Sequence, residues 1–425
     1  MKLLVQRERY LFLILLALNF AFIGCKKKSD NYTQTSISLQ ITEVNNGIKL
    51  SWDKVATSDF VRYEIYRSPS AIPDPTSKEP ISSTLLLNSI SNSDNHHFVD
   101  SLGVGNNYYR VVVVLKYRNL ISPNVNVKSG ISLNGSFSQA FISKSLGLLY
   151  VRLTSNTFSI IDYKNSTEVF NNVSAGAGTT YYVTKNENNQ EVIYASSASN
   201  SITEYNASNL NLIKSHLIST PITSFNAVNG HAYINYNGFQ DSLVTYNLAN
   251  DTRIDAISSL SNDNSIFSES GNLLVTTSFS TSGLVSSYQI GTNKKPTLLQ
   301  SVTDNFLLWN ICRISPNGNY IIGTNGQLLT KDFVSLGFLE NFGFSSFGDF
   351  VFSDDEKFIV AVATPNIQVY SLATLKMISS FSLSSSSFNQ SKIFLDGNTL
   401  IIVENVFNQI SGQSMISIRK KTLQF

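Results

Sequence analysis

The stretch that decides the fold is FSDDEKFIV, residues 352–360. An apolar residue precedes five polar residues and an apolar run follows them, which is typical of two strands joined by a tight turn. The pattern returns as FISKSLGLLY at residues 141–150 and as ISPNGNYII at residues 314–322. Its copies begin at residues 141, 183, 225, 267, 314, 352 and 394, and four of the six spacings are 42 residues. The C-terminal two thirds of the chain is therefore an internal repeat.

A second pattern runs in phase with the first and consists of a short strand that ends in tyrosine before a polar turn. Its clearest copies are Ile160–Tyr163, Ile202–Tyr205, Leu243–Tyr246, Val285–Tyr288 and Ile367–Tyr370. Two hairpins per repeat make a four-stranded sheet, and one such sheet alone would expose two apolar faces. Stacking the sheets in a ring covers those faces, so the repeat predicts a seven-bladed β-propeller over residues 131–425.

Two segments of this region carry a family resemblance. SPNGNY at residues 315–320 and YSLATLK at residues 370–376 resemble WD40-like and YVTN-type bacterial propellers. The resemblance covers the C-terminal two thirds of the chain and implies the fold, but a fold alone does not specify a chemistry.

Residues 36–130 show a different pattern, about seven short runs in which apolar residues alternate at the strand period of two. This predicts an Ig-like β-sandwich, so the fold class is all-β, a sandwich followed by a propeller. LSW at residues 50–52 and YEIYR at residues 63–67 resemble the B and C strands of fibronectin type III domains. The resemblance implies that Trp52 is a core residue and that Tyr108 is the tyrosine corner. Such a module is expected to be a spacer, with a ligand site of its own as the alternative.

The N-terminus reads as a signal peptide over residues 1–24. Lys2, Arg7 and Arg9 form a positive region, and an apolar run of 13 residues follows at Leu11–Ile23. That run is shorter than the ~20 apolar residues of a membrane-spanning helix.

The run ends in FIGC, residues 22–25, which resembles the lipobox of bacterial lipoproteins. The resemblance implies lipid attachment at Cys25, a polar tether over residues 25–35, and location in the outer membrane because Lys26 rather than Asp follows the cysteine. Which leaflet the protein faces is left open. The alternative is a plain secretory signal with a cysteine there by chance.

Composition excludes several functions. Only 14% of residues are charged, and removing residues 1–24 leaves 28 basic and 28 acidic residues, so nucleic-acid binding is not expected. Two cysteines exclude a disulfide framework. No Gly-x-Ser-x-Gly elbow and no sialidase-type box occurs, and the four histidines, at positions 96, 97, 216 and 231, suggest neither a metal site nor a base. The sequence therefore predicts no catalytic residue, no metal and no cofactor, and a protein that is not an enzyme.

Aromatic side chains are the remaining candidates. Counting along the repeat places six of them on loops at one face of the propeller, and they are Phe239, Trp309, Phe342, Phe344, Phe347 and Phe407. Exposed aromatics among polar residues suit stacking on sugars or packing on a protein partner, although the same rings could pack between blades.

These features predict a membrane-anchored envelope lipoprotein, expected to be a monomer, whose propeller binds a protein or a glycan. The alternatives are an enzyme that acts on a glycan or lactone in the central channel and an outer-membrane assembly scaffold.

Overall fold

The computed structural model describes residues 36–44, 47–68, 71–75, 81–100, 103, 105–174, 178–197, 200–218, 222, 224–235, 243–257, 264–277, 284–303, 312–340, 347–383, 391–408 and 413–423. The predicted signal peptide, most of the predicted tether and the lipid-attachment residue Cys25 lie outside these ranges.

The described residues form antiparallel strands and one short 3-10 turn at Ser83–Leu85, and no α-helix is found in these ranges. In chain order the strands are β1 (Leu39–Val44), β2 (Gly47–Trp52), β3 (Phe60–Ser68), β4 (Leu86–Ile90), β5 (His97–Asp100), β6 (Gly105–Leu115), β7 (Asn119–Ile121), β8 (Val125–Ser129), β9 (Ile131–Asn134), β10 (Phe137–Ser143), β11 (Leu148–Leu153), β12 (Thr157–Asp162), β13 (Thr167–Ser174), β14 (Gly178–Lys185), β15 (Glu191–Ser197), β16 (Ser201–Asn206), β17 (Leu212–Leu217), β18 (Ser224–Val228), β19 (His231–Asn235), β20 (Leu243–Asn247), β21 (Thr252–Ile257), β22 (Asn264–Phe267), β23 (Leu273–Thr277), β24 (Leu284–Ile290), β25 (Pro296–Thr303), β26 (Cys312–Ile314), β27 (Tyr320–Gly323), β28 (Gln327–Thr330), β29 (Ser335–Phe338), β30 (Asp349–Phe352), β31 (Phe358–Ala363), β32 (Asn366–Ser371), β33 (Met377–Ser382), β34 (Ser391–Asp396), β35 (Thr399–Asn408) and β36 (Gln413–Thr422). The all-β class predicted from the sequence is confirmed.

The first eight strands make two sheets, which we call the N-terminal sheet pair. One has the order β1-β2-β5, and the other has the order β4-β3-β6-β7 with β8 beside β6. Apolar residues at alternate positions of both sheets meet in one core cluster that includes Trp52 and Tyr63. Their rings pack edge to face with centroids 5.3 Å apart. The Tyr63 hydroxyl accepts a hydrogen bond from the Val55 amide at 3.0 Å.

The buried tyrosine of β6 is Tyr109 and not Tyr108, so the tyrosine-corner expectation is wrong by one residue. Tyr109 is fully buried and donates a hydrogen bond to Asp100 Oδ2 at 2.8 Å. The same carboxylate forms an ion pair with Arg67, whose Nη1 lies 2.7 Å from Oδ2. A side chain on Gly103 would collide with the Tyr109 hydroxyl, so the position of this tyrosine requires glycine there. Tyr108 points to the other side of the sheet, among Tyr66 and Val112.

The remaining strands form seven four-stranded antiparallel sheets. Sheet 1 is β10–β13, sheet 2 is β14–β17, sheet 3 is β18–β21, sheet 4 is β22–β25, sheet 5 is β26–β29, sheet 6 is β30–β33, and sheet 7 is β34–β36 with β9 as its fourth strand. The hairpins named in the sequence at residues 141–150, 314–322 and 352–360 join the first two strands of sheets 1, 5 and 6.

Each pair of neighbouring sheets encloses an apolar cluster, including the pair formed by sheets 7 and 1. The first strands also contact one another in sequence from β10 to β34, and β34 contacts β10. The last sheet therefore packs against the first, and the first strands surround a common axis.

Two ends of this arrangement are distinguished below. The turn end carries the turns that follow the first and third strands of each sheet, and these turns lie side by side. In sheet 1, for example, the Tyr163 amide donates to the Gly147 carbonyl at 3.2 Å. The strand-start end is the opposite one, where the first strands begin. A single residue, Gly130, separates β8 of the N-terminal sheet pair from β9 of sheet 7.

Trp52→Ala is expected to destabilise the N-terminal sheet pair by ~3–5 kcal/mol, because truncating a buried aromatic leaves a cavity. The measurement is the free energy of unfolding from a guanidinium titration followed by circular dichroism. Tyr117→Ala is the control, since Tyr117 is 80% exposed and its loss should change stability little. Equal stabilities for the two variants would contradict a core role for Trp52.

Candidate functional site

Phe347 is the one predicted ligand-face aromatic whose side chain the structure describes, and it lies in the core. It is 2% exposed and packs against Phe350 and Tyr370 between sheets 5 and 6. Gly326, whose φ is 79°, leaves the room that the ring occupies. A ligand-facing role does not fit this position, because adjacent apolar sheets cover the ring.

The other five aromatics are not described at the side-chain level. Phe239, Trp309, Phe342 and Phe344 lie outside the described residues, and Phe407 is described only as part of β35. The prediction of an aromatic ligand face therefore stays a prediction for these residues.

Three charged residues meet on the first strands of sheets 5, 6 and 7, and we call them the charged cluster. Arg313 Nη2 donates to Asp349 Oδ1 at 2.6 Å, and Lys392 Nζ lies 3.8 Å from Asp349 Oδ2. The Asp349 side chain is 2% exposed, whereas Arg313 and Lys392 are 36% and 33% exposed. Two partly exposed cations thus converge on one buried carboxylate.

Lys392 is a cation in an unfavourable environment. The carboxylate of Asp349 raises the pKa of Lys392, but burial and the positive charge of Arg313 together lower it below its ordinary value. An additional negative charge near Lys392 would offset both effects.

Tyr182, on the first strand of sheet 2, belongs to the same interior. Burial raises the pKa of the Tyr182 hydroxyl, and the charge of Arg313 acts against that increase. Sheets 2 and 5 are not neighbours, so this interaction crosses the axis that the first strands surround. The Tyr182 ring also packs edge to face on Phe225, with centroids 5.2 Å apart.

The charged cluster lies near the strand-start end. Asp349 is the first residue of β30, and Arg313 and Lys392 are the second residues of β26 and β34. They lie two or three residues after residues 304–311, 341–346 and 384–390, and the first two of these segments carry Trp309, Phe342 and Phe344. The sequence analysis missed the cluster, although charged residues in otherwise apolar first strands were a visible signal.

The turn end is spanned by a second ion network. Lys144, in the first turn of sheet 1, lies 2.9 Å from Glu269 of sheet 4 and 2.7 Å from Asp354 of sheet 6. No two of these three sheets are adjacent, so one lysine links three separate sheets. Burial alone would lower the pKa of Lys144, but the two carboxylates raise it above its ordinary value. Asp354 lies in the first hairpin turn of sheet 6 and is half-exposed in this network.

The N-terminal sheet pair meets sheet 7 at the turn end. A cavity of about 450 Å³ lies at this junction, between Lys128 and Gly130 on one side and Asn165, Ser166 and Lys420 on the other. Asn165 and Ser166 belong to the turn between β12 and β13. The N-terminal sheet pair and the strand-start end are therefore on opposite sides of the seven sheets.

His216, on the fourth strand of sheet 2, is buried between two carboxylates. Its Nδ1 lies 2.6 Å from Asp251 Oδ1 and its Nε2 lies 3.3 Å from Glu204 Oε2. Both contacts are hydrogen bonds only when the imidazole carries two protons. Burial alone would raise the pKa of each carboxyl, but the hydrogen bonds from His216 hold both pKa values below their ordinary range. The structure places His216 in a buried contact between sheets 2 and 3.

Within the described ranges, no group of three or more His, Cys, Asp or Glu side chains is arranged to hold a metal ion. The same part of the chain contains no helix long and apolar enough to cross a membrane.

Comparison with solved structures gives a distant likeness, whereas the other two comparisons find no match. No protein-family model matches the chain, and no curated protein matches it. Among solved structures the chain is similar to "KlHsv2 with loop 6CD replaced by a Gly-Ser linker", with 13% identity and a TM-score of 0.49, over 68% of this chain and 98% of that one. At this distance the likeness contributes nothing to the assignment of function.

His216→Asn is expected to lower the free energy of unfolding at pH 7 by ~1–3 kcal/mol, because the buried Glu204 carboxylate loses one of its hydrogen-bond partners. His97→Asn is the control, since His97 is exposed on β5. Urea titrations of both variants and of the wild type give the comparison.

The loss of stability at acid pH gives a second test of the contacts between His216 and the two carboxylates. The pKa values of Glu204 and Asp251 are lowered from 4.5 and 3.8, so their contribution is present above those values and is lost as the pH falls through the folded-state pKa values. In His216→Asn the carboxyls lose the interaction that holds their pKa values low, so the acid loss of stability should begin at higher pH. Identical acid limbs for variant and wild type would show that His216 does not stabilise these carboxylates.

Proposed function

We propose that this protein is a lipid-anchored envelope lipoprotein that binds a ligand at the strand-start end of a seven-bladed β-propeller, with a fibronectin type III-like sandwich as spacer. This proposal rests on the observation that the N-terminal sheet pair and the charged cluster lie at opposite ends of the seven sheets. The N-terminal sheet pair joins at the turn end, and the charged cluster lies toward the other end.

The propeller assignment is supported by the arrangement of the seven sheets. Each has four antiparallel strands in sequence order, the first strands contact one another cyclically, and sheet 7 takes its fourth strand from the other end of the region. The sandwich assignment is supported by the shared core between the two N-terminal sheets and by Trp52 within it.

The two ends differ in access to the axis. At the turn end, Lys144 links sheets 1, 4 and 6 across the axis, and Ser143 ties sheet 1 to Glu191 of sheet 2 at 2.6 Å. At the strand-start end, Arg313 and Lys392 keep about a third of their surface exposed. Loops that carry binding residues on a rigid scaffold are the common arrangement in such folds, and the predicted aromatics lie on those segments.

Binding is favoured over catalysis by the state of Asp349, the carboxylate of the cluster. Glycoside hydrolysis requires two carboxyl groups that can reach the substrate. Asp349 is buried, and its oxygens already accept from Arg313 and from the Ile393 amide at 3.2 Å. A carboxylate that is 2% exposed and held in this way positions its neighbours and offers almost no surface to a substrate.

Cys25→Ser is expected to release the protein from the membrane fraction into the soluble fraction, because the lipid attached through the side chain needs the Cys25 thiol. The measurement is fractionation followed by a high-salt wash, since acyl chains resist salt and charge contacts do not. Cys312→Ser is the matched control and should stay in the membrane fraction. A Cys25→Ser protein that remains membrane-bound after the wash would rule out the lipobox assignment.

Trp309→Ala and Phe344→Ala should weaken capture of the envelope partner or glycan and leave the melting temperature nearly unchanged. Phe347→Ala is the buried comparison and should cost ~3–5 kcal/mol of stability, since its ring fills the space between sheets 5 and 6. Thermal melts and binding to immobilised envelope extracts give the two readouts. If Trp309→Ala and Phe344→Ala destabilise as Phe347→Ala does, they are core residues and the proposed ligand face is wrong.

A further inference from the structure

We infer that the cavity at the junction of the N-terminal sheet pair and sheet 7 binds a small zwitterion in which a phosphate group is linked to an amine. Phosphoethanolamine is the simplest molecule of this class. The junction lies at the turn end, so this site is separate from the ligand proposed for the strand-start end.

The cavity has the size and the position of a small-molecule site. Its volume is about 450 Å³, and sites for small molecules measure roughly 300–1,000 Å³ and often lie between domains. Ile131 and Ile418 form an apolar part of its wall, and these two residues pair across β9 and β36. The same pairing completes sheet 7, so a ligand meets a wall that is already formed.

Side chains of opposite charge line this cavity without pairing with one another. Lys128 of β8 and Lys420 of β36 stand around it together with Glu43 of β1. Within the described ranges, none of these three side chains forms an ion pair. A ligand that carries both signs fits such a cavity, because a charge that leaves water is costly unless it is paired.

Glu43 is placed to accept the amine of the ligand. Its Oε1 accepts a hydrogen bond from Ser129 Oγ at 2.7 Å, and Ser129 is buried, so the carboxylate is oriented before a ligand arrives. An ionised carboxylate accepts about four hydrogen bonds. An ammonium group therefore binds to Glu43 without displacing Ser129.

Lys128 and Lys420 favour a phosphate as the anionic group. They lie on opposite walls of the junction, one in the N-terminal sheet pair and one in sheet 7. Lysine is a compact point charge that binds phosphate without a fixed geometry. A phosphate group offers several strong acceptor oxygens, so one phosphate accepts from both ammonium groups.

Lys420 and Lys128 differ in their surroundings. Lys420 Nζ donates to the Lys164 carbonyl at 2.9 Å. Hydrogen bonds from Asn165 hold the pKa of Asp162 below its ordinary value and the charge of Lys420 contributes, so Lys420 has a carboxylate in its vicinity. Lys128 is exposed, and its side chain forms no ion pair or hydrogen bond with any described residue. Lys128 is therefore the residue that carries the test.

An α-amino acid carries the same two signs and fits the cavity less well. Its ammonium and carboxylate groups share one carbon, whereas Glu43 lies too far from the lysines to pair with them. The two-carbon linker of phosphoethanolamine separates the charges further. The Ser166 hydroxyl also lines the cavity, has no hydrogen-bond partner among the described residues, and is a donor for a phosphate oxygen.

The test titrates the chain over residues 25–425 calorimetrically with phosphoethanolamine. The matched probes are ethyl phosphate, which lacks the amine, and ethanolamine, which lacks the phosphate. Phosphoethanolamine should bind about tenfold more tightly than either, because each probe loses a charge-assisted contact. Sedimentation with phosphatidylcholine vesicles, with and without phosphatidylethanolamine, measures whether the same group is recognised as a lipid headgroup.

Two variants separate the two halves of the ligand. Lys128→Gln should weaken phosphoethanolamine and ethyl phosphate about tenfold each, whereas Glu43→Gln should weaken phosphoethanolamine about tenfold and should not weaken ethyl phosphate. Lys116→Gln, in the exposed turn between β6 and β7, is the control and should change neither. Thermal melts of all three variants should match the wild type, because the altered side chains are exposed.

Binding that is unaffected by Lys128→Gln or by Glu43→Gln overturns the inference, and so does equal affinity for phosphoethanolamine and ethyl phosphate. Binding of the free compound alone, or of the phosphatidylethanolamine vesicles alone, supports it and identifies the source of the ligand. Failure of both forms to bind overturns it. The ligand at the strand-start end is tested independently, by the Trp309→Ala and Phe344→Ala capture experiment.

Discussion

The pairing of β9 with β36 is the interaction on which the rest of the structure depends. Ile131 pairs with Ile418 and Leu133 with Ile416, which joins the first strand of the seven-sheet region to its last. Each sheet has apolar side chains on both faces, so no sheet in the series can be left with one face uncovered. Sheet 7 completes its four strands with β9 and then packs on sheet 1, where Leu133 enters the cluster that the two sheets share. The same pairing positions the N-terminal sheet pair, because only Gly130 separates β8 from β9.

Local sequence patterns predicted the hairpins, but they did not predict which distant segments pair. The tyrosines at the ends of the third strands, such as Tyr163 and Tyr370, are buried where the repeat predicts apolar contacts. The membership of β9 in sheet 7 has no local signal, since four residues, Ile131–Asn134, read as a strand of either domain. The local pattern also did not predict which of Tyr108 and Tyr109 is the buried tyrosine. Adjacent strand residues point to opposite faces, so a family pattern displaced by one residue selects the wrong side of the sheet.

The candidate site was harder to predict because its residues are distant in sequence and similar in type to residues with structural roles. Counting along the repeat placed Phe347 on a loop, but a ring two residues before a first strand can turn inward, and Gly326 leaves space for it. Arg313, Asp349 and Lys392 lie in three different sheets, and only the cyclic contact of first strands brings them together. The signal for them was chemical, a charge within a short apolar strand, because a buried charge requires a partner.

The two ends of the seven sheets differ in the residues that lie there. At the turn end Lys144 meets Glu269 and Asp354, and the N-terminal sheet pair lies there as well. At the strand-start end two cations share one carboxylate. If the chain is anchored at Cys25, a tether of residues 25–35 spans at most ~40 Å when extended, and it leads into the N-terminal sheet pair. The strand-start end, which carries Arg313 and Lys392, is then the end opposite the N-terminal sheet pair.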